Sequence, residues 1–208
     1  MTFPLKFALP QGFQPIDLAE TPNRRADRLL GRLSALPPEE RLHVVLANQY
    51  MVERMVEQGV IYAATFVGRS ERDPAAATTA QFTVLVKQAG DRTGRPLETI
   101  LDAIRQEREN SEAQLVDLSV GRALVVVEDD QFATPVDILG NPGSRPHHVR
   151  QIQVIYPLGD RGQLAFFGLA TEFLRDWDDY VEMMAGISKT ISWAETGERG
   201  AISMVLDG

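Results

Sequence analysis

The strongest constraint on this chain is a set of apolar runs that come in pairs, each pair joined by a short connection. "VIYAATFVGRS" and "AQFTVLVKQ" flank "ERDPAAATT", and "AQLVDLSV" meets "GRALVVVEDD" at Gly121. Further on, "VRQIQVIYPL" and "QLAFFGLATEF" flank the turn formers of "PLGDRGQ". β-Branched and aromatic residues suit a pleated, half-buried surface, and Gly, Pro and Asp between such runs mark turns. Strands joined this closely pair antiparallel, because a parallel pair needs a long crossover.

Helical stretches separate these pairs. "TPNRRADRLLGRLSAL" offers Thr21 as a cap, Pro22 at the first helical position, and Leu29, Leu30, Leu33 and Leu36 at helical spacing. "PPEERLHVVLANQYMVERMVEQG" starts at Pro38 with two glutamates, sets Leu42, Val45, Leu46, Gln49, Val52 and Val56 along one side, and ends at Gly59. "PLETILDAIRQERE" puts Leu97, Ile100, Leu101 and Ile104 on one face. A last helix, in "RDWDDYVEMMAGISKTISW", starts near Asp176 with a stripe of Trp177, Tyr180, Val181, Met184, Ile187 and Ile191. Before all of these, "PLKFALPQGFQPIDL" holds two short extended runs broken by Pro10, Gly12 and Pro15, suited to a hairpin or an edge strand.

This order predicts an α+β fold, a largely antiparallel β-sheet covered by helices. At 208 residues, 44% apolar and 24% charged, the chain has side chains enough for one core. The expectation is a single domain over 1–208, with an N-terminal helical pair at about 22–58 and a long loop at 129–148, where three prolines and two glycines break any period.

Charge and composition exclude several functions. A formal charge of -8 repels nucleic-acid phosphates, so nucleic acid is not an expected partner. The chain has no cysteine, which removes disulfides, thiolate metal sites and cysteine nucleophiles. "MTFPLKFALPQGFQP" has no signal-peptide pattern, and no apolar run reaches the ~20 residues a membrane helix needs. A soluble, cytoplasmic protein without membrane insertion is the expectation.

Each chemical candidate has a plainer reading beside it. Asp176, Asp178 and Asp179, with Glu172 nearby, invite a metal. They lack the glycine and closing glutamate of a calcium loop, and a helix start accounts for them: Asp176 capping the amide of residue 179, and the other two in the first turn. His147 and His148 read as a solvated turn, and His43 as a helix residue. The glycines of "SVGRAL" and "PLGDRGQ" lead into strands, where a phosphate cradle would open into a helix. There is no GxSxG elbow, so no cofactor, metal or catalytic residue is assigned. A carboxylate pair for hydrolysis stays open, since its spacing is spatial.

Two stretches suggest a partner. Arg24, Arg28 and Arg32 fall at steps of four beside Arg25, either a solvated helix face or a contact for an acidic segment. Phe132, Val136, Ile138 and Leu139 lie in the 129–148 loop and either fold onto the core or form a binding patch.

From residue 96 onward, the order helix, hairpin ("LVDLSVGRALVVVE"), long loop, strand pair ("IQVIYPL", "QLAFFGLAT") and closing helix ("WDDYVEMMAGISKTISW") resembles the PsbP-like α/β/α sandwich superfamily, in its uncharacterised bacterial branch. The opening "FALPQGFQPI" is similar to that group's "lPxGW" start. The resemblance implies a scaffold for binding. The expected function is therefore a non-enzymatic protein-binding or accessory protein, its partner another protein, with homo-oligomerisation compatible. The alternatives are a cytoplasmic chaperone for a secreted substrate and a hydrolase-type enzyme with a carboxylate site.

Overall fold

The computed structural model describes residues 3–35, 37–89, 96–107, 111–132, 147–159 and 162–194. Among the described residues, nine strands and four α-helices run in the order β1 (Leu5–Lys6), β2 (Phe13–Pro15), α1 (Pro22–Arg32), α2 (Pro38–Glu57), β3 (Val60–Arg69), β4 (Ala77–Gln88), α3 (Pro96–Glu107), β5 (Ser111–Leu118), β6 (Gly121–Phe132), β7 (His147–Pro157), β8 (Gln163–Thr171), α4 (Trp177–Thr190) and β9 (Ser192–Trp193). Seven strands form one sheet in the order β2-β3-β4-β8-β7-β6-β5, and every neighbouring pair is antiparallel. The fold is α+β. Two meanders meet where β8 returns beside β4, so one sheet joins strands from both halves of the chain.

Alternation along the strands divides the core between the two faces of the sheet. On one face Phe82, Val84, Phe167, Leu169, Ile152 and Val154 pack against Tyr180, Met184, Ile187 and Ile191 of α4. On the other, Leu124, Val126, Ile155 and Leu164 lie under Leu97, Leu101 and Ile104 of α3. Ala63 and Val60 meet Met55 of α2 on that side, with Ile16 and Leu18 alongside. Helices thus cover both faces.

An N-terminal strap completes the α4 layer. Leu5, Phe7 and Leu9 alternate inward, and Phe7 sits among Tyr62 (5.3 Å between ring centroids), Phe82 (5.5 Å) and Phe167 (5.6 Å). Burying one such ring removes 150–250 Å² from water, so the strap is anchored mainly by this apolar plug. Its edge is fixed by β1 pairing with β9, by the Ala194 amide donating to the Pro4 carbonyl (2.8 Å) and by the Ala8 amide donating to Thr190 Oγ1 (2.9 Å).

The expected helices, hairpins and Gly121 turn are present, with several corrections. β1 and β2 do not pair with each other; β2 is an edge strand beside β3, and β1 finds its partner at the far end of the chain. The last helix stops at Thr190, where Ile191 turns extended to enter β9. Thr21 stands at the N-cap of α1 without a side-chain capping bond. On α2, Leu42 and Val56 are exposed and the buried positions are Val45, Val52 and Met55. The expected loop bounds of 129–148 are corrected at both ends: Asp129 to Phe132 continue β6, and His147 and His148 open β7, so the histidine pair is strand and not turn. Ile138 and Leu139, with residues 133–146 as a whole, lie outside the described residues.

Candidate functional site

A cleft of about 620 Å³ lies between the strap and α4, lined by Ala8, Leu9, Pro10, Gln11, Glu71, Asp179, Glu182, Met183, Gly186, Ile187 and Thr190. Positions 179, 182, 183, 186, 187 and 190 recur at three and four residues, so they share one side of α4. Leu9 and Ile187 form a buried floor and Met183 is half-buried. Gly186 leaves the middle open: a Cβ there would have no heavy atom within 4 Å.

The opposite wall is set by a turn. Gly12 adopts φ = 96°, and its carbonyl accepts the Val67 amide (3.1 Å). The Phe66 ring occupies the space that Cβ atoms on Gly12 and on Gly68 would fill, 2.7 Å away in each case. Two glycines thus let one aromatic ring fix the strap against β3, and residues 8–11 follow as the cleft wall.

Three carboxylates, Glu71, Asp179 and Glu182, line this apolar trough, and among the described lining residues there is no lysine or arginine. Such a surface suits a ligand that is apolar in part and positively charged in part. A cavity of this size lies in the usual range of ~300–1,000 Å³ for bound small groups.

Beside the cleft, the loop between β3 and β4 is latched to the start of α4. Asp176 is 1% exposed, and Ser70 Oγ donates to its Oδ1 at 2.6 Å. Thr78 Oγ1 and the Tyr180 hydroxyl share a 2.6 Å hydrogen bond nearby. Arg72 pairs with Asp178 (2.6 Å), and Arg175 lies 3.6 Å from Asp73. Burial pushes the Asp176 carboxyl upward, but the hydroxyls of Ser70 and Thr78 and the charge of Arg175 outweigh it, so the group sits below its ordinary range. These contacts tie the loop between β3 and β4 to the start of α4, and the arrangement serves as a latch. This corrects the expected cap: Asp176 stands at the N-cap but makes no side-chain capping bond, its carboxylate being drawn to Ser70. Asp178 and Asp179 do occupy the first turn, as expected.

The arginines separate. Arg24, Arg28 and Arg32 are exposed along α1, but Arg25 is 3% exposed and turned into the α1–α2 junction. There it donates to Gln49 Oε1 (2.9 Å) and to the Glu20 carbonyl (2.7 Å), while the Gln49 amide donates to the Pro22 carbonyl. Arg28 forms a two-pronged pair with Glu20, at 3.1 and 2.7 Å. That pairing lowers the Glu20 carboxyl and raises the Arg28 guanidinium. None of the four arginines lines the cleft. Phe132 ends β6, with its side chain outside the described residues. His43 is exposed on α2, and among the described residues no group of three His, Asp or Glu side chains is placed to hold a metal ion.

Sequence reading missed the cleft because its walls come from opposite ends of the chain. The one local signal was Gly186, a residue that weakens a helix by about 1 kcal/mol relative to alanine and here keeps a surface open.

Comparison with protein-family models, with curated proteins and with solved structures found no match.

Proposed function

We propose that this protein is a non-enzymatic binding module whose α4 cleft receives an apolar segment carrying lysine or arginine from another protein. The observation that carries this reading is the cleft itself: a floor of Leu9, Met183 and Ile187 lined also by Glu71, Asp179 and Glu182. Apolar burial would supply affinity, and the carboxylates would select a cationic partner and speed encounter. The helix-covered sheet is also what the PsbP-like resemblance implies, and it supports a scaffold that binds through its surface.

Selection from a library of random displayed peptides tests the proposal. Recovered sequences should combine apolar residues with Lys or Arg, and binding should fall with added salt. Gly186→Leu should abolish capture by filling the cleft while leaving the helix at least as stable, since leucine is the better helix former. Glu182→Lys should weaken it without unfolding. Peptides without basic residues, or capture unchanged by Gly186→Leu, would reject the reading.

A further inference from the structure

The sheet has two edges of different character. One is β2, three residues long and ending in Pro15, the kind of short, proline-bearing strand that resists pairing. The other is β5, eight residues in unbroken register with β6 from Ser111↔Glu128 to Leu118↔Gly121. Among the described residues no strand pairs with its outer side. Its sequence, SEAQLVDL, has no proline, no lysine and no bulge, and its only charged side chains are the acids Glu112 and Asp117.

The two faces of β5 present different chemistry. Ala113 and Leu115 point to the α3 side and pack there beside half-buried Ile100. Glu112 and Gln114 are exposed on the opposite face. Asp117 is exposed and lies cross-strand from Arg122, whose guanidinium donates to Glu98 (3.1 Å). β5 therefore carries two acids and no base.

We propose that β5 accepts an extended segment of another protein as an added strand, with apolar residues toward α3 and lysine or arginine toward Glu112. Backbone pairing would supply affinity, and the alternating side chains specificity. A second copy of this chain is the poorer occupant. A two-fold pairing of β5 with itself centres on Gln114 or on Leu115 and sets Val116 or Leu118 of the second copy opposite Glu112, so a second copy brings no base to that carboxylate. This proposal is independent of the α4 cleft.

The probe is a fluorescein-labelled peptide, Lys-Val-Lys-Val-Lys-Val-Lys-Val, titrated by anisotropy into the full chain carrying Gly186→Leu, so that the cleft is filled. Saturable binding is expected. N-methylation of alternate amides should weaken it about tenfold or more in one of the two alternation patterns, since only one set faces the edge. Glu112→Lys with Asp117→Lys should produce a comparable loss. Binding indifferent to N-methylation in both patterns would overturn strand addition. A chain that sediments as a dimer, dissolved by Gln114→Arg, would assign the edge to a second copy and overturn it equally.

Discussion

At φ = 96° Gly12 occupies left-handed backbone space, and a Cβ there would lie 2.7 Å from the Phe66 ring. Gly12→Ala should therefore cost about 2 kcal/mol in a urea titration, half or more of it from the backbone alone. Asp176 makes a different demand. Its carboxyl is held below the ordinary range, so the stability it contributes is fully present above the unfolded-state value near ~3.9 and is lost as pH falls through the lower folded value. Asp176→Asn should cost about 1–3 kcal/mol at pH 7, by the usual worth of hydrogen bonds to a buried charge. The difference from wild type should shrink as the acid limb is crossed, because the wild-type carboxyl is then protonated too. A constant difference from pH 7 to pH 2 would mean that the charge plays no part. Neither role was legible beforehand. A glycine before a phenylalanine and an aspartate before a helix both suggest local turn and cap chemistry, whereas their partners Phe66 and Ser70 arrive from β3 and the loop that follows it.

Among the elements, α3 and α4 were readable because their apolar residues keep one period and one face, and those faces are the buried ones. α2 is apolar on several sides, with Leu42, Val44 and Val56 exposed while Val45, Val52 and Met55 are covered, so periodicity found Val45 and Val52 but added Leu42 and Val56 and passed over Met55. α1 is stranger still: its inward anchor is an arginine. Arg25 joins α1 to α2 through Gln49 and to the preceding turn through Glu20, and these bonds position the helical pair beside β3. Arg25→Ala should lower stability by about 2 kcal/mol, since it strands Gln49 and the Glu20 carbonyl. It should also speed amide exchange in α1 ahead of the sheet. Arg24→Ala and Arg32→Ala, on the exposed face, should stay within about 0.5 kcal/mol of wild type. Equal effects at all three positions would contradict the inward placement of Arg25.

The molecule as a whole is a sheet whose α4 face is sealed by both ends of the described chain, through Phe7 under the strap and β1 against β9. Strand pairs with short turns were legible because each is a local event. The strap, the cleft and the latch were not, because they depend on which distant segments meet. Sealing that face also buries phenols. Burial raises the Tyr62, Tyr156 and Tyr180 hydroxyls above their ordinary range, and Tyr156 is pushed up to about 12. Between pH 10 and 12 the unfolded chain gives up the Tyr156 proton and the folded chain keeps it. Stability is therefore full below pH ~10 and should fall above it by up to ~1.4 kcal/mol per pH unit from this residue. Tyr156 is 2% exposed, and its hydroxyl has no hydrogen-bond partner among the described residues. Tyr156→Phe should accordingly be neutral or stabilising at pH 7, by up to about 1 kcal/mol, and should flatten the alkaline decline. Urea titrations at pH 7, 10 and 11, read beside tyrosinate absorbance, measure both effects. A destabilised Tyr156→Phe with an unchanged alkaline slope would show that this hydroxyl is satisfied and that the decline begins at another residue.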